Sequence, residues 1–263
     1  MSAATPTCTD ELPILYQDDA IVVVNKPSGL LVHRSPIDRH ETRFAVQLLR
    51  DQLGRHVFPV HRLDKGTSGA LAFALDKTTA TALAEQFAGK QVRKTYVAIV
   101  RGWPPAAGVI DYALDAVQDA YAPVSETAPK PCRTAHRTLA TVELPVRVDR
   151  YPTSRYALVE LEPETGRRHQ LRRHLAHLSH PIVGDSTYGK GRHNRLFAEQ
   201  YGVRRLLLAC VGLEFTHPAT GVTVRVRAEA GPEFDALQRQ LPWAVVPAPA
   251  PDALSPASAS PSR

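Results

Sequence analysis

The sequence predicts a mixed fold of many strands and a few helices, and three observations carry that prediction. Apolar runs of strand length recur along the chain, as in Ile21-Val22-Val23-Val24 and Ala70-Leu71-Ala72-Phe73-Ala74. A smaller number of segments place apolar residues at helical spacing, for example Phe44, Leu48, Leu49 and Leu53. Proline and glycine stop both kinds of run, at Lys26-Pro27-Ser28-Gly29, Gly54, Gly89 and Trp103-Pro104-Pro105.

In order, residues 1–11 form a small, polar leader. Ile14 to Tyr16 and Ile21 to Asn25 read as two strands joined by an acidic turn, and Leu30 to His33 as a further extended run. A helix is expected from about Glu41 to Leu53, capped by Gly54, and another from Asp76 to Ala88, stopped by Gly89. Strands follow at 94–102 and 154–161. From 106 to 148 the prolines at 123, 129, 131 and 145 break the reading into short pieces. Arg168 to Leu178 is helix-like, with Leu171, Leu175 and Leu178 on one stripe. Strands are expected at 206–209 and 222–226, and a last helix at 234–241. Residues 247–263 are nearly all Pro, Ala and Ser, a composition that cannot bury enough apolar surface to order itself. One domain spanning 12–246 is therefore expected, with a disordered tail.

Composition narrows the function. Hydrophobic residues make up 43% of the chain, enough for a real core. With 32 Lys and Arg against 26 Asp and Glu, the net charge is +6 and the pI near 9.4, which favours a polyanionic partner, nucleic acid ahead of a membrane surface. No apolar run reaches the ~20 residues of a spanning helix, and the start lacks a signal peptide's basic and apolar regions, so a cytoplasmic location is expected. Cys8, Cys132 and Cys210 are isolated and suggest neither a disulfide framework nor a zinc site. Neither a P-loop nor a G-x-G-x-x-G turn is present.

Two clusters carry chemistry. His61-Arg62-Leu63-Asp64-Lys65-Gly66-Thr67-Ser68-Gly69 places a carboxylate between two cations in a loop flanked by apolar runs; a solvated surface hairpin is the competing reading. Thr165-Gly166-Arg167-Arg168-His169-Gln170-Leu171-Arg172-Arg173-His174 gathers four arginines and two histidines at the start of a helix, a place suited to a phosphate or a carboxylate, or simply a solvated basic face. His174, His177 and His180 have helical spacing, but no Asp, Glu or Cys completes a tetrahedral metal set, so no metal is expected.

Taken together and in order, KPSGLLVH (26–33), HRLDKGTSGALAFA (61–74), KTYVAIVRG (94–102) and TGRRHQLRRHLAHLSHPIVGDSTYG (165–189) resemble the RluA family of RNA pseudouridine synthases over roughly residues 12–245. The resemblance implies an α+β fold with a mixed, largely antiparallel central sheet and flanking helices. It implies Asp64 as the catalytic aspartate, Arg167 as its partner, Tyr96 as the ring against the target uracil, and Arg62 as the side chain that enters the RNA where the base leaves. His61, His169 and Gln170 join Arg62 as expected substrate-binding residues. Lys65 departs from the family's usual Arg.

The chemistry suits these residue types. Isomerising uridine breaks N1–C1′ and joins C5 to C1′ without redox change or external energy, so no cofactor is expected. A carboxylate can attack or take a proton, and a neighbouring guanidinium keeps it ionised. The base must leave its stack, which calls for a filler and an aromatic receiver. The resemblance is strongest to the tRNA-acting branch, implying tRNA uridine sixty-five as target, with ribosomal RNA or both RNA classes as the alternative. A catalytically silent RNA-binding protein and a metal-dependent nuclease using His61 and Asp64 are the more distant readings. RNA is the expected partner, with no membrane and no obligate protein partner.

Overall fold

The computed structural model describes residues 11–34, 40–115 and 128–247. The expected leader and Pro/Ala/Ser tail lie, apart from Glu11 and Pro247, outside the described residues. One mixed sheet of eleven strands organises the rest. Its main path runs β1 (Ile14–Gln17), β2 (Ile21–Lys26), β4 (Ser68–Ala74), β9 (Leu208–Thr216), β5 (Arg93–Arg101), β8 (Ser154–Pro163), β7 (Arg133–Leu144) and β11 (Ala244–Val245). Off that path β3 (Phe58–Pro59) pairs with β4, β6 (Ala107–Asp111) with β7, and β10 (Thr223–Arg227) with β9. All these pairings are antiparallel except β4 with β9, which run parallel at Ser68–Ala209 and Gly69–Cys210. The α+β, largely antiparallel expectation holds.

That parallel seam sits mid-sheet and depends on Gly69. Its φ is +108°, and an added Cβ would lie 2.0 Å from the Cys210 carbonyl oxygen. The flanking strands are buried on both faces: Ile21 to Val24 and Ala70 to Ala74 are at most 1% exposed. Their unbroken apolar character is what a central strand requires.

Five helices cover the sheet: α1 (Ala45–Leu53), α2 (Lys77–Ala88), α3 (Gln170–His177), α4 (Gly191–Tyr201) and α5 (Pro232–Gln240). Asp76 caps α2 by accepting from the Thr79 amide at 2.8 Å, and Gly54 ends α1 in the left-handed region, both as the sequence suggests. Tyr156 of β8 meets Phe197 of α4 edge to face, with ring centroids 4.8 Å apart, which seats α4 on the sheet.

Besides the strand expected at 206–209, which runs Leu208–Thr216, and the unplaced β6 and β11, four elements differ from the sequence reading. The helix expected from Glu41 starts at Ala45, because Phe44 is extended and bridges to Leu31, while Glu41 pairs with Lys65 at 2.9 Å. Residues 30–33 make only an isolated bridge, Leu31 to Phe44. The helix α4 was absent from the reading, since Leu196 and Phe197 are its main apolar residues and its N-terminus has no side-chain cap. Strand β7 was also unplaced. Its inward positions are Thr134, His136, Thr138, Ala140, Val142 and Leu144, so polar residues fill half of the alternation that would have marked a strand.

Candidate active site

Asp64 lies in the loop between β3 and β4, and the turn after β2 braces that loop from behind. The Gly29 amide donates to Lys65 O at 2.8 Å and Ser28 Oγ to Gly66 O at 2.7 Å. Lys26 is fully buried, and its Nζ donates to Pro27 O, Leu30 O and Lys65 O at 2.9, 2.8 and 3.3 Å. Burial pulls this amine down to about 7, aided by Arg205 and opposed by Asp64, while three carbonyl acceptors need all three N–H bonds of its charged form. The Thr67 amide donates to Asp64 O at 3.0 Å, closing the turn that leads into β4.

His61 clamps the other flank. Its Nε2 accepts from the Ala72 amide at 3.0 Å, and its ring stacks on Phe87 with centroids 4.5 Å apart. An accepting Nε2 requires a neutral ring, and burial lowers the pKa to about 3. The ring lines the cavity, yet its bonded nitrogen ties the loop to β4 rather than reaching toward RNA.

The guanidinium on Asp64 belongs to Arg172. Arg172 Nη1 lies 3.3 Å from Asp64 Oδ2, while its Nε and Nη2 hold the two oxygens of buried Asp185 at 2.7 and 2.9 Å. Asp185 also accepts from the Thr187 and Tyr188 amides. Burial pushes the Asp185 carboxyl up, but Arg172 and these amides overcome it, so its pKa falls below the usual range. Held by this bidentate grip and lying 5.1 Å over the Tyr188 ring, Arg172 presents its remaining nitrogen to Asp64 in a fixed direction. This corrects the expected Asp64–Arg167 pair. Arg167 precedes α3 and is exposed at the rim of the cavity, whereas Arg172, in the first turn of α3, faces inward. Helical phase separates the two arginines, and composition alone ranks them equally.

Asp64 forms a wall of a cavity of about 430 Å³ whose lining includes Tyr96, Leu171, Leu208 and Phe87. Tyr96 is 8% exposed and lies opposite Cys210 in the β5–β9 register, and burial raises its pKa well above the ordinary value. His169 adopts a left-handed φ of 55° ahead of α3, which sets its Nδ1 3.1 Å from Tyr188 Oη and its Nε2 3.9 Å from Asp64 Oδ2. Arg62 and Arg168 line this cavity and also a second cleft beyond Asp64.

Gln170 departs from its expected role. Its Oε1 accepts from Thr165 Oγ1 and the Arg167 amide, and its Nε2 donates to Arg133 O and Thr134 Oγ1, at 2.7 to 3.1 Å. Four contacts use the whole amide, so Gln170 fastens the 163–169 turn to β7 and has nothing left for substrate. The three histidines weighed as metal ligands point to separate partners. His174 bridges Thr134 Oγ1 and Tyr112 O, His177 stacks on Tyr112, and His180 Nδ1 bonds Arg101 O.

A carboxylate held by an anchored arginine beside a cavity with Tyr96 and Phe87 in its lining is a site-like arrangement, and comparison with known proteins gives the class. Residues 20–177 match the RNA pseudouridylate synthase family, and the chain belongs to that family, as an enzyme of the RluA type. The chain is 50% identical over 236 residues to tRNA pseudouridine synthase C of Vibrio vulnificus, covering 88% of this chain and 96% of that one. It is 53% identical over 221 residues to the protein of the same name from Salmonella typhimurium, covering 82% and 85%. Among solved structures, human RNA pseudouridylate synthase domain containing 1 is 30% identical with a TM-score of 0.64 over 85% of each chain. Among the described residues no helix is long and apolar enough to cross a membrane.

Proposed function

We propose that this enzyme converts uridine sixty-five of tRNA to pseudouridine, working in the cytosol through a catalytic domain spanning residues 12–246. What chiefly supports the tRNA reading is half identity over nearly the whole length of relatives named for tRNA. Asp64, directed by Arg172, acts on the nucleotide while the base occupies the Tyr96 cavity. The N1–C1′ bond breaks, the base turns, and C5 joins C1′; one proton leaves C5 and one arrives at N1, so product and substrate are isomers. This balance calls for no redox partner, nucleotide or metal. Arg62 fills the space the base vacates, and the surrounding arginines hold phosphates.

The test is a pseudouridine map of tRNA and ribosomal RNA from cells with and without the gene, paired with the purified protein acting on each RNA. Loss of the tRNA modification alone is expected. Loss of a ribosomal pseudouridine with the tRNA one intact would overturn the assignment of substrate and leave the chemistry standing.

A further inference from the structure

Strand β5 carries a second group into the cavity. Lys94 and Tyr96 are two residues apart on one strand, so they share a face; the register irregularity between β5 and β9 falls on the β9 side, where Val211 is skipped. Both line the cavity that Asp64 walls. Lys94 is 8% exposed, and burial lowers its pKa. Among the described residues no carboxylate pairs with it and no acceptor takes its hydrogen bonds. A buried cation in that condition is costly to fold around. Among the described residues the one fully enclosed and unpartnered side-chain nitrogen or oxygen is His136 Nδ1, so the Lys94 amine opens onto the cavity.

The contrast with Lys26 is instructive. Lys26 is buried still more deeply, but three carbonyls consume its donors and it serves the loop. Lys94 keeps three donors for whatever enters. A phosphate is excluded by depth, because the exposed arginines Arg62 and Arg167 stand at the rim, where an RNA backbone would pass. The occupant of the interior is the flipped base beside Tyr96. Uracil offers two carbonyl oxygens, O2 and O4. When N1–C1′ opens, its electron pair stays with the base and spreads onto both oxygens, which is where a preorganised ammonium in a dry pocket acts best.

We infer that Lys94 donates a hydrogen bond to a carbonyl oxygen of the flipped uracil and holds the charge that develops there, an inference that rests on the pseudouridine synthase reading. Lys94 stays protonated throughout and transfers nothing.

The experiment measures single-turnover pseudouridine formation and RNA dissociation constants for wild type, Lys94→Met and Lys94→Gln. Three RNAs are used, carrying uridine, 2-thiouridine or 4-thiouridine at the target. Lys94→Met is expected to slow the uridine substrate about 10- to 100-fold, the range of a charge-assisted hydrogen bond, with affinity within about threefold. Wild type should be slowed by one of the thio substitutions, and both variants should be insensitive to that same one. Melting temperatures of both variants should equal or exceed wild type, since an unpaired buried ammonium is gone. Wild-type rates in Lys94→Met, equal thio sensitivity in all three proteins, or a fall of several degrees in both variants would overturn the inference. So would weakened affinity with a shallower salt dependence, which would assign Lys94 to a phosphate. If wild type forms no pseudouridine on any RNA, the functional reading fails instead.

Discussion

Two spaces meet at Asp64, and they differ in kind. The cavity on the Tyr96 side, about 430 Å³, has walls of Leu63, Phe87, Leu171 and Leu208. The cleft on the other side, about 550 Å³, is lined by Ser28, His33, Lys65, Arg168 and Arg204. Arginines line both, but the first has an aromatic and apolar floor with one buried amine, while the second has no Phe, Tyr or Trp in its lining and is built on the braced loop. A nucleotide has two ends of matching character, a flat base and an anionic backbone. On the proposed reading this difference would orient the substrate, base toward Tyr96 and phosphates toward Arg204, with the glycosidic carbon brought to the carboxylate between them.

The largest effect is expected at the shared wall. Asp64→Asn keeps the shape of both spaces and removes a group able to attack or take a proton, so product formation should stop while RNA affinity stays within a few-fold. Retention of more than about a hundredth of the wild-type single-turnover rate, inside the roughly 10²-fold floor of acid–base catalysis, would detach the chemistry from Asp64. Arg172→Ala should come next. It strips Asp64 of its guide and leaves Asp185 buried without a countercharge, costing about 3–5 kcal/mol of stability by denaturant unfolding as well as activity. Arg167→Ala serves as the control and should change stability by less than about 0.5 kcal/mol, as exposed side chains do.

On the Tyr96 side the ring is expected to matter more than its hydroxyl, because the ring face is what a flat base can stack on. Tyr96→Phe should cost about tenfold in rate or less, the worth of one hydrogen bond, and Tyr96→Ala much more. Equal losses would move the role to the hydroxyl. On the cationic side, exposed Arg204→Ala should weaken RNA binding a few-fold and reduce the salt slope by about 1, with the rate at saturation unchanged. A loss of rate at saturation would bring the base, rather than the backbone, to that cleft.

The sequence showed these two regions unequally. The Asp64 loop was readable because its flanking apolar runs and its Gly-Thr-Ser-Gly turn are local signals. Its brace was half readable: Lys26-Pro27-Ser28-Gly29 marked a turn, but nothing local says that Lys26 points inward to three carbonyls. In the 165–174 cluster the residue types were plain and their directions were not. Arg167 and Arg172 differ in whether they precede α3 or lie within it, and Gln170 is consumed by β7, the strand whose polar interior hid it. Asp185 was not singled out by the sequence, because its partner Arg172 is set by tertiary packing.

The smallest effect at neutral pH, and the sharpest on acidification, concerns His61, which separates the Tyr96 cavity from β4. Its folded pKa of about 3 lies below the ordinary 6.5, so the unfolded chain takes up the proton first as pH falls. Stability from this group is fully present above about 6.5 and declines as pH drops from there toward 3. By pH 5 the loss from this one proton is at most about 2 kcal/mol, at ~1.4 kcal/mol per pH unit. His61→Gln can still accept from the Ala72 amide and does not titrate. Its denaturant midpoint at pH 8 should lie close to wild type, and its midpoint at pH 5 should exceed wild type. Parallel pH dependence in the two proteins would mean that His61 carries its charge in the folded state. Its Nε2 could not then accept the Ala72 amide, and the Asp64 loop would lose its tie to β4 on the Tyr96 side.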